Sequence, residues 1–161
     1  MKNTGIVAFG FGVPKTIRSN RLITTICSTK AYNLDATVYT QSDVCVGDAI
    51  SVEYIKEEPG NPPPTLRVAR GAVQWAIKKG FGELWVVAAE PHLWRCKRDM
   101  REAIKEAGAR IALRVCALPF PNDGWFCSDS TQPRTRSWVK WWSRELILRL
   151  MPFFLYKRIA S

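Results

Sequence analysis

Histidine is all but missing from this sequence. His92 is the single one among 161 residues, and Cys27, Cys45, Cys96, Cys116 and Cys127 stand far apart with no Cys-x-x-Cys pair. A structural zinc site draws its ligands mainly from those two residue types at short spacings, so the composition argues against a metal. An odd, scattered set of cysteines reads as reduced thiols of a cytosolic protein rather than as a disulfide framework. Long apolar runs are missing as well. Charges interrupt every candidate spanning segment, and MKNTGIVAFGFGVP has too short an apolar run for a secretory signal. The expectation is a cytoplasmic, metal-free chain with no transmembrane segment.

Charge balance is lacking in the second half of the chain, where basic residues crowd. Residues 1–91 carry 10 basic and 8 acidic side chains, net +2, whereas residues 92–161 carry 14 and 6, net +8, which together give the formal charge of +10. Such a field favours anionic partners: a nucleotide or other phosphorylated small molecule, nucleic acid, or an anionic membrane surface. What is plentiful is apolar and aromatic material, 47% and 11% of the residues. That is the composition of a globular domain, and the length fits one domain that buries roughly two-thirds of its unfolded surface.

The pattern along the chain alternates strands with helices. GIVAFG (5–10) is a continuous apolar run closed by glycine, expected as the central strand of a parallel sheet. Ser19 is placed to cap a helix running to about Asn33, followed by a second strand at 36–41 and an alternating, edge-type strand at 50–55. The four prolines of EEPGNPPP (57–64) exclude helix and central strand there. Thr65 reads as the cap of the next helix, which puts Val68, Ala72, Trp75 and Ala76 inward and ends at Gly80. ELWVVAA (83–89) is a second buried strand, Pro91 opens a helix to Gly108, and RIALRVC (110–116) is the last strand. A loop over 117–133 contains Trp125, and a closing helix spans about 135–158. The sum is a single α/β domain over residues 1–161, three-layered and Rossmann-like, with a mostly parallel sheet of about five strands.

In such a sheet ligands bind outside the C-terminal ends of the strands, where the strand order reverses. Four loops then qualify: Phe9 to Gly12 with Gly10, Gln41 to Asp43, Glu57 to Thr65 with Glu58, and Glu90 to His92. On the helix after Pro91, His92, Arg95 and Asp99 share a face, so His92 and Arg95 add side-chain donors to the free N–H groups of a helix N-terminus. The positive end of that helix should lower the pKa of His92 and keep it neutral, as a hydrogen-bond donor or general base. Lys97, Arg98 and Arg101 read as surface charge. In the closing helix, Trp138, Val139, Trp141, Trp142, Leu146 and Leu148 form a broad apolar face with Lys140 and Arg144 opposite, and Glu145 and Arg149 are i, i+4 partners within it. That face is expected to dock on the core; the alternative is an interaction or membrane-surface helix.

Taken in order, the pieces IVAFG, Glu58, Thr65-Leu66-Arg67-Val68-Ala69, LWVVAA, His92-Leu93-Trp94-Arg95 and Glu145 resemble the YdcF-like family, also called domain of unknown function 218, with SanA-like and ElyC-like envelope relatives. The resemblance spans about residues 5–150. It implies a Rossmann-like fold with a polar pocket, S-adenosylmethionine as a candidate cofactor, and a ligand held by Thr65, His92 and Arg95. Glu58, Gln41, Asp43, Gly10 and Glu145 would be lesser contributors. Val68 stands where the family has asparagine, PGNPPP lengthens the loop before Thr65, and Thr40-Gln41-Ser42-Asp43 replaces Ser-Gly-Gly. The leading expectation is a protein binding an anionic small molecule of the nucleotide or S-adenosylmethionine type, with His92 as the candidate for proton transfer. An envelope-associated interaction protein and a nucleic-acid-binding module are the alternatives, the latter requiring a continuous basic stripe and steep salt dependence.

Overall fold

A computed structural model describes residues 3–57, 62–116 and 124–160. Five strands form one sheet: β1 (Thr4–Ala8), β2 (Thr37–Thr40), β3 (Val52–Tyr54), β4 (Glu83–Val87) and β5 (Ala112–Val115). Their order is β3-β2-β1-β4-β5, and every neighbouring pair is parallel. The apolar run of β1 is central because Ile6, Val7 and Ala8 have no exposed surface on either face. The alternating β3 takes the edge, with Glu53 and Tyr54 exposed.

Three layers follow from the alternation of side chains along β1. Ile6 and Ala8 point to the face covered by α1 (Arg18–Leu34), where they meet Ile23, Cys27 and Ala31. Val7 points to the face covered by α2 (Thr65–Lys79) and α3 (Glu90–Glu106), against Val68, Ala72, Val73 and Met100. Helix α2 approaches the sheet closely at Gly71, where a Cβ would lie 2.2 Å from the Tyr39 hydroxyl. The arrangement is an all-parallel, three-layer, Rossmann-like α/β fold, with the reversal of strand order on either side of β1.

Two expected caps are differently used. Helix α1 begins at Arg18 with Ile17 at its cap, so Ser19 lies inside the helix; its hydroxyl donates to the Phe11 carbonyl at 2.8 Å instead. Asn20 completes the stitch, accepting from the Phe11 N–H and donating to the carbonyls of Gly12 and Pro14. Thr65 is the first residue of α2, capped by Pro64 with no side-chain bond, which releases its hydroxyl for the cavity described below.

The closing helix is two helices, α4 (Trp138–Leu150) and α5 (Phe153–Ala160), because Pro152 lacks the N–H that would continue the ladder. Ser137 caps α4, accepting from the Lys140 N–H. The docked side of α4 is Trp141, Glu145 and Leu148, while Trp138, Val139 and Leu146 face outward. The expected core face is thus rotated by about a sixth of a turn: the apolar arc is wider than one contact surface, and the chain buries the edge that carries Glu145. Leu148, Tyr156 and Ala160 pack on Leu66 as a small satellite core. Among the described residues no helix is long and apolar enough to cross a membrane.

Candidate functional site

The C-terminal ends of β1, β2 and β4 open into a cavity of about 180 Å³. The loop after β1 forms its floor, and its shape depends on Gly12. That residue sits at φ +92°, and a Cβ there would lie 2.7 Å from the Ser130 hydroxyl and 2.8 Å from that of Thr135. Both constraints demand glycine. Gly10 also lines the cavity, and its N–H donates to Gln41 Oε1 at 2.9 Å, leaving the amide NH2 as the group Gln41 presents.

Helix α3 supplies the polar centre. His92 lies in its first turn, 6% exposed, between the rings of Phe9, Phe11 and Trp141. Its Nδ1 is 3.0 Å from an Arg95 guanidinium nitrogen and its Nε2 is 3.4 Å from Thr65 Oγ1. Guanidinium only donates, so Nδ1 accepts, and the proton sits on Nε2 facing the threonine hydroxyl. Burial first, then the positive charges of Arg95, Arg134 and Arg144, hold the His92 pKa well below its ordinary value. The expected direction is met, with burial and neighbouring arginines as its cause.

Arg95 is 6% exposed and lies over the Trp141 ring. One terminal nitrogen is 3.5 Å from Glu145, and its Nε is buried with no partner. Glu145 itself is 1% exposed, bracketed by Arg95 and by Arg149 at 3.4 Å; it stands behind Arg95 rather than on the cavity wall. Asp99, on the same face of α3, pairs with Arg98 at 3.0 Å and accepts from the Tyr156 hydroxyl. Arg98 is therefore no loose surface charge: it lies 3.9 Å over the Tyr156 ring and ties α3 to α5.

Two arginines that spacing did not single out complete the site. Arg134, in a single 3-10 turn (Pro133–Thr135), and Arg144 of α4 both line the cavity beside Arg95. Burial and the two neighbouring guanidiniums push the Arg134 pKa down to about 10, and burial together with Arg95 lowers that of Arg144. The sequence signal was present in QPRTRS just before the closing helix, but only the return of that segment to the sheet brings it to His92.

The cavity lining also includes one carboxylate. Asp43 lines the cavity, and burial followed by repulsion from Glu57 pushes its pKa up to about 6. Glu57 accepts from the Ser42 N–H through one oxygen, and the other is buried without a partner. The carboxylate neighbour here is Glu57; Glu58 lies outside the described residues. Thr65, His92, Arg95, Gln41, Asp43 and Gly10 are thus brought together, and Glu145 supports from behind. No group of three or more His, Cys, Asp or Glu able to hold a metal occurs among the described residues.

Fold and site together define a parallel α/β protein with a cationic cavity at the carboxyl ends of its central strands. No family model matches the chain, and no curated protein or solved structure is similar to it at a level that supports an assignment.

Proposed function

We propose that the protein binds a small anionic molecule, a nucleotide or another phosphorylated metabolite, in the cavity between β1, β2 and β4. One observation carries this reading: Arg95, Arg134 and Arg144 converge on a single cavity of about 180 Å³ at the strand C-termini. Burial and the neighbouring guanidiniums lower the proton affinity of Arg134 and Arg144 there, which is the unfavourable field that a bound anion relieves. The unpartnered Nε of Arg95 offers a further donor, and a phosphate takes bidentate bonds from such a fork. His92 donates from Nε2, and since its other nitrogen is engaged by Arg95 its role is to hold ligand or Thr65 rather than to take a proton. If a proton moves, Asp43 is the better-matched group, its pKa lying nearer neutrality.

S-adenosylmethionine, which the YdcF-like resemblance suggests, is the second reading. It rests on Asp43, whose carboxylate lines the cavity and would receive its amino group while the arginines take its carboxylate. The sulfonium would meet a cationic wall, which ranks this ligand second. Thermal-shift screening with nucleotides, sugar phosphates and S-adenosylmethionine tests both. A phosphorylated ligand at a hundred times its Kd should stabilise the wild type by about 2.7 kcal/mol. Arg134→Gln with Arg144→Gln should abolish that shift while leaving the unliganded midpoint nearly unchanged. Equal stabilisation of both proteins would remove the cavity from the binding site.

A further inference from the structure

The outward face of α4 and α5 collects most of the exposed apolar surface of the described residues. Of the twelve large exposed hydrophobic side chains, eight lie here: Trp138, Val139, Leu146, Ile147, Leu150, Phe154, Leu155 and Ile159. At about 100° per residue, Trp138, Trp142, Leu146, Val139 and Leu150 occupy one arc of about 120°, adjoining the edge that carries the buried Trp141, Glu145 and Leu148. Trp138 is 59%, Leu150 76% and Phe154 66% exposed. The face continues onto α3 without a gap in its chemistry. Arg149 lies 4.6 Å from the Trp142 ring and 4.7 Å from that of Trp94, and Arg98 lies 5.1 Å from Trp94 and from Phe153.

Its uncompensated charge is positive: Lys157 is paired with Glu102 and Glu106 of α3, whereas among the described residues no ion pair is seen for Lys140 or Arg158. Between residues 134 and 160 the basic side chains are Arg134, Arg136, Lys140, Arg144, Arg149, Lys157 and Arg158, and the single acid is Glu145. Glu145 is turned inward onto Arg95 and Arg149, and Arg134 and Arg144 line the cavity, so the cations left at the rim of the apolar arc are Lys140 and Arg158. A second copy of the chain would set this rim against itself, whereas an anionic bilayer complements it. Tryptophan, phenylalanine and leucine bordered by lysine and arginine is the composition of a helix lying in a bilayer interface. We propose that α4 and α5 form a membrane-docking face for anionic phospholipid surfaces. The helices lie on the bilayer, with Trp138, Leu146 and Leu150 entering the headgroup boundary and Lys140 and Arg158 meeting lipid phosphates.

Vesicle flotation with the full chain tests this, comparing phosphatidylcholine vesicles with and without phosphatidylglycerol at low and high salt. Binding is expected only with phosphatidylglycerol, and to weaken as salt rises. Lys140→Gln with Arg158→Gln should weaken it roughly 25-fold, about fivefold per charge. Leu146→Ser with Leu150→Ser should abolish it; because all four side chains are exposed, circular dichroism should show the fold retained. Failure of the wild type to float with phosphatidylglycerol vesicles overturns the proposal, as does equal binding to phosphatidylcholine alone. A dimer in vesicle-free ultracentrifugation that Leu146→Ser with Leu150→Ser disperses would also overturn it, making a second copy the occupant.

Discussion

His92 is held neutral by what packs against it. Its neutrality follows from burial among Phe9, Phe11 and Trp141 and from three guanidiniums. Being the only histidine, it gives a single imidazole Cε1–H signal in a proton NMR spectrum. That signal should not titrate between pH 8 and pH 6, and a midpoint near the ordinary value of 6.5 would show the ring to be solvated. The thermodynamic sign follows: the folded pKa is depressed, so below about pH 6.5 the unfolded chain binds the proton that the folded one refuses. The stability His92 contributes is complete above that pH and is lost as pH falls. Thr65, Gln41, Asp43, Gly10 and Arg95 were legible from strand ends and helix starts, because a parallel sheet sends those positions to one edge. Arg134 and Arg144 were not, since their place depends on a segment whose path after β5 no local period encodes.

At the scale of elements, the closing segment is where pattern and structure part most. The apolar arc of α4 predicted docking with Glu145 inside it, and Trp141, Glu145 and Leu148 do dock, while Trp138, Val139 and Leu146 of the same arc face out. Helical periodicity gives the width of an apolar arc but not which edge is buried; here the charge on Arg95 selects it. Glu145→Ala leaves that guanidinium uncompensated in a buried position. It should cost about 3 kcal/mol in urea denaturation, and Glu145→Gln less, because an amide oxygen still accepts. The helix breaks at Pro152 for a reason readable in the sequence, and α5 then turns back so that Tyr156 meets Asp99 and Arg98.

Over the whole molecule, the five-stranded parallel sheet and its two covering layers were legible because buried strands, glycine stops and helical spacing agree. The last third is not an appendage to that frame. Trp141 belongs to the larger core with Ile23, Cys27 and Trp125, and Leu148 and Tyr156 seal the end of α2. Deleting residues 138–160 should therefore abolish cooperative thermal unfolding and the near-ultraviolet dichroism of the remaining aromatics; a cooperative transition in the truncated chain would show those contacts to be dispensable. The same geometry matters at the bench. Ile159 and Ala160 stand on the rim of the cavity, while Asn3 pairs with Gly82 and Glu83 at the opposite end of the sheet. An affinity tag fused after Ala160 would leave the fold at the mouth of the site and compete for it, whereas one fused ahead of Asn3 emerges at the far end.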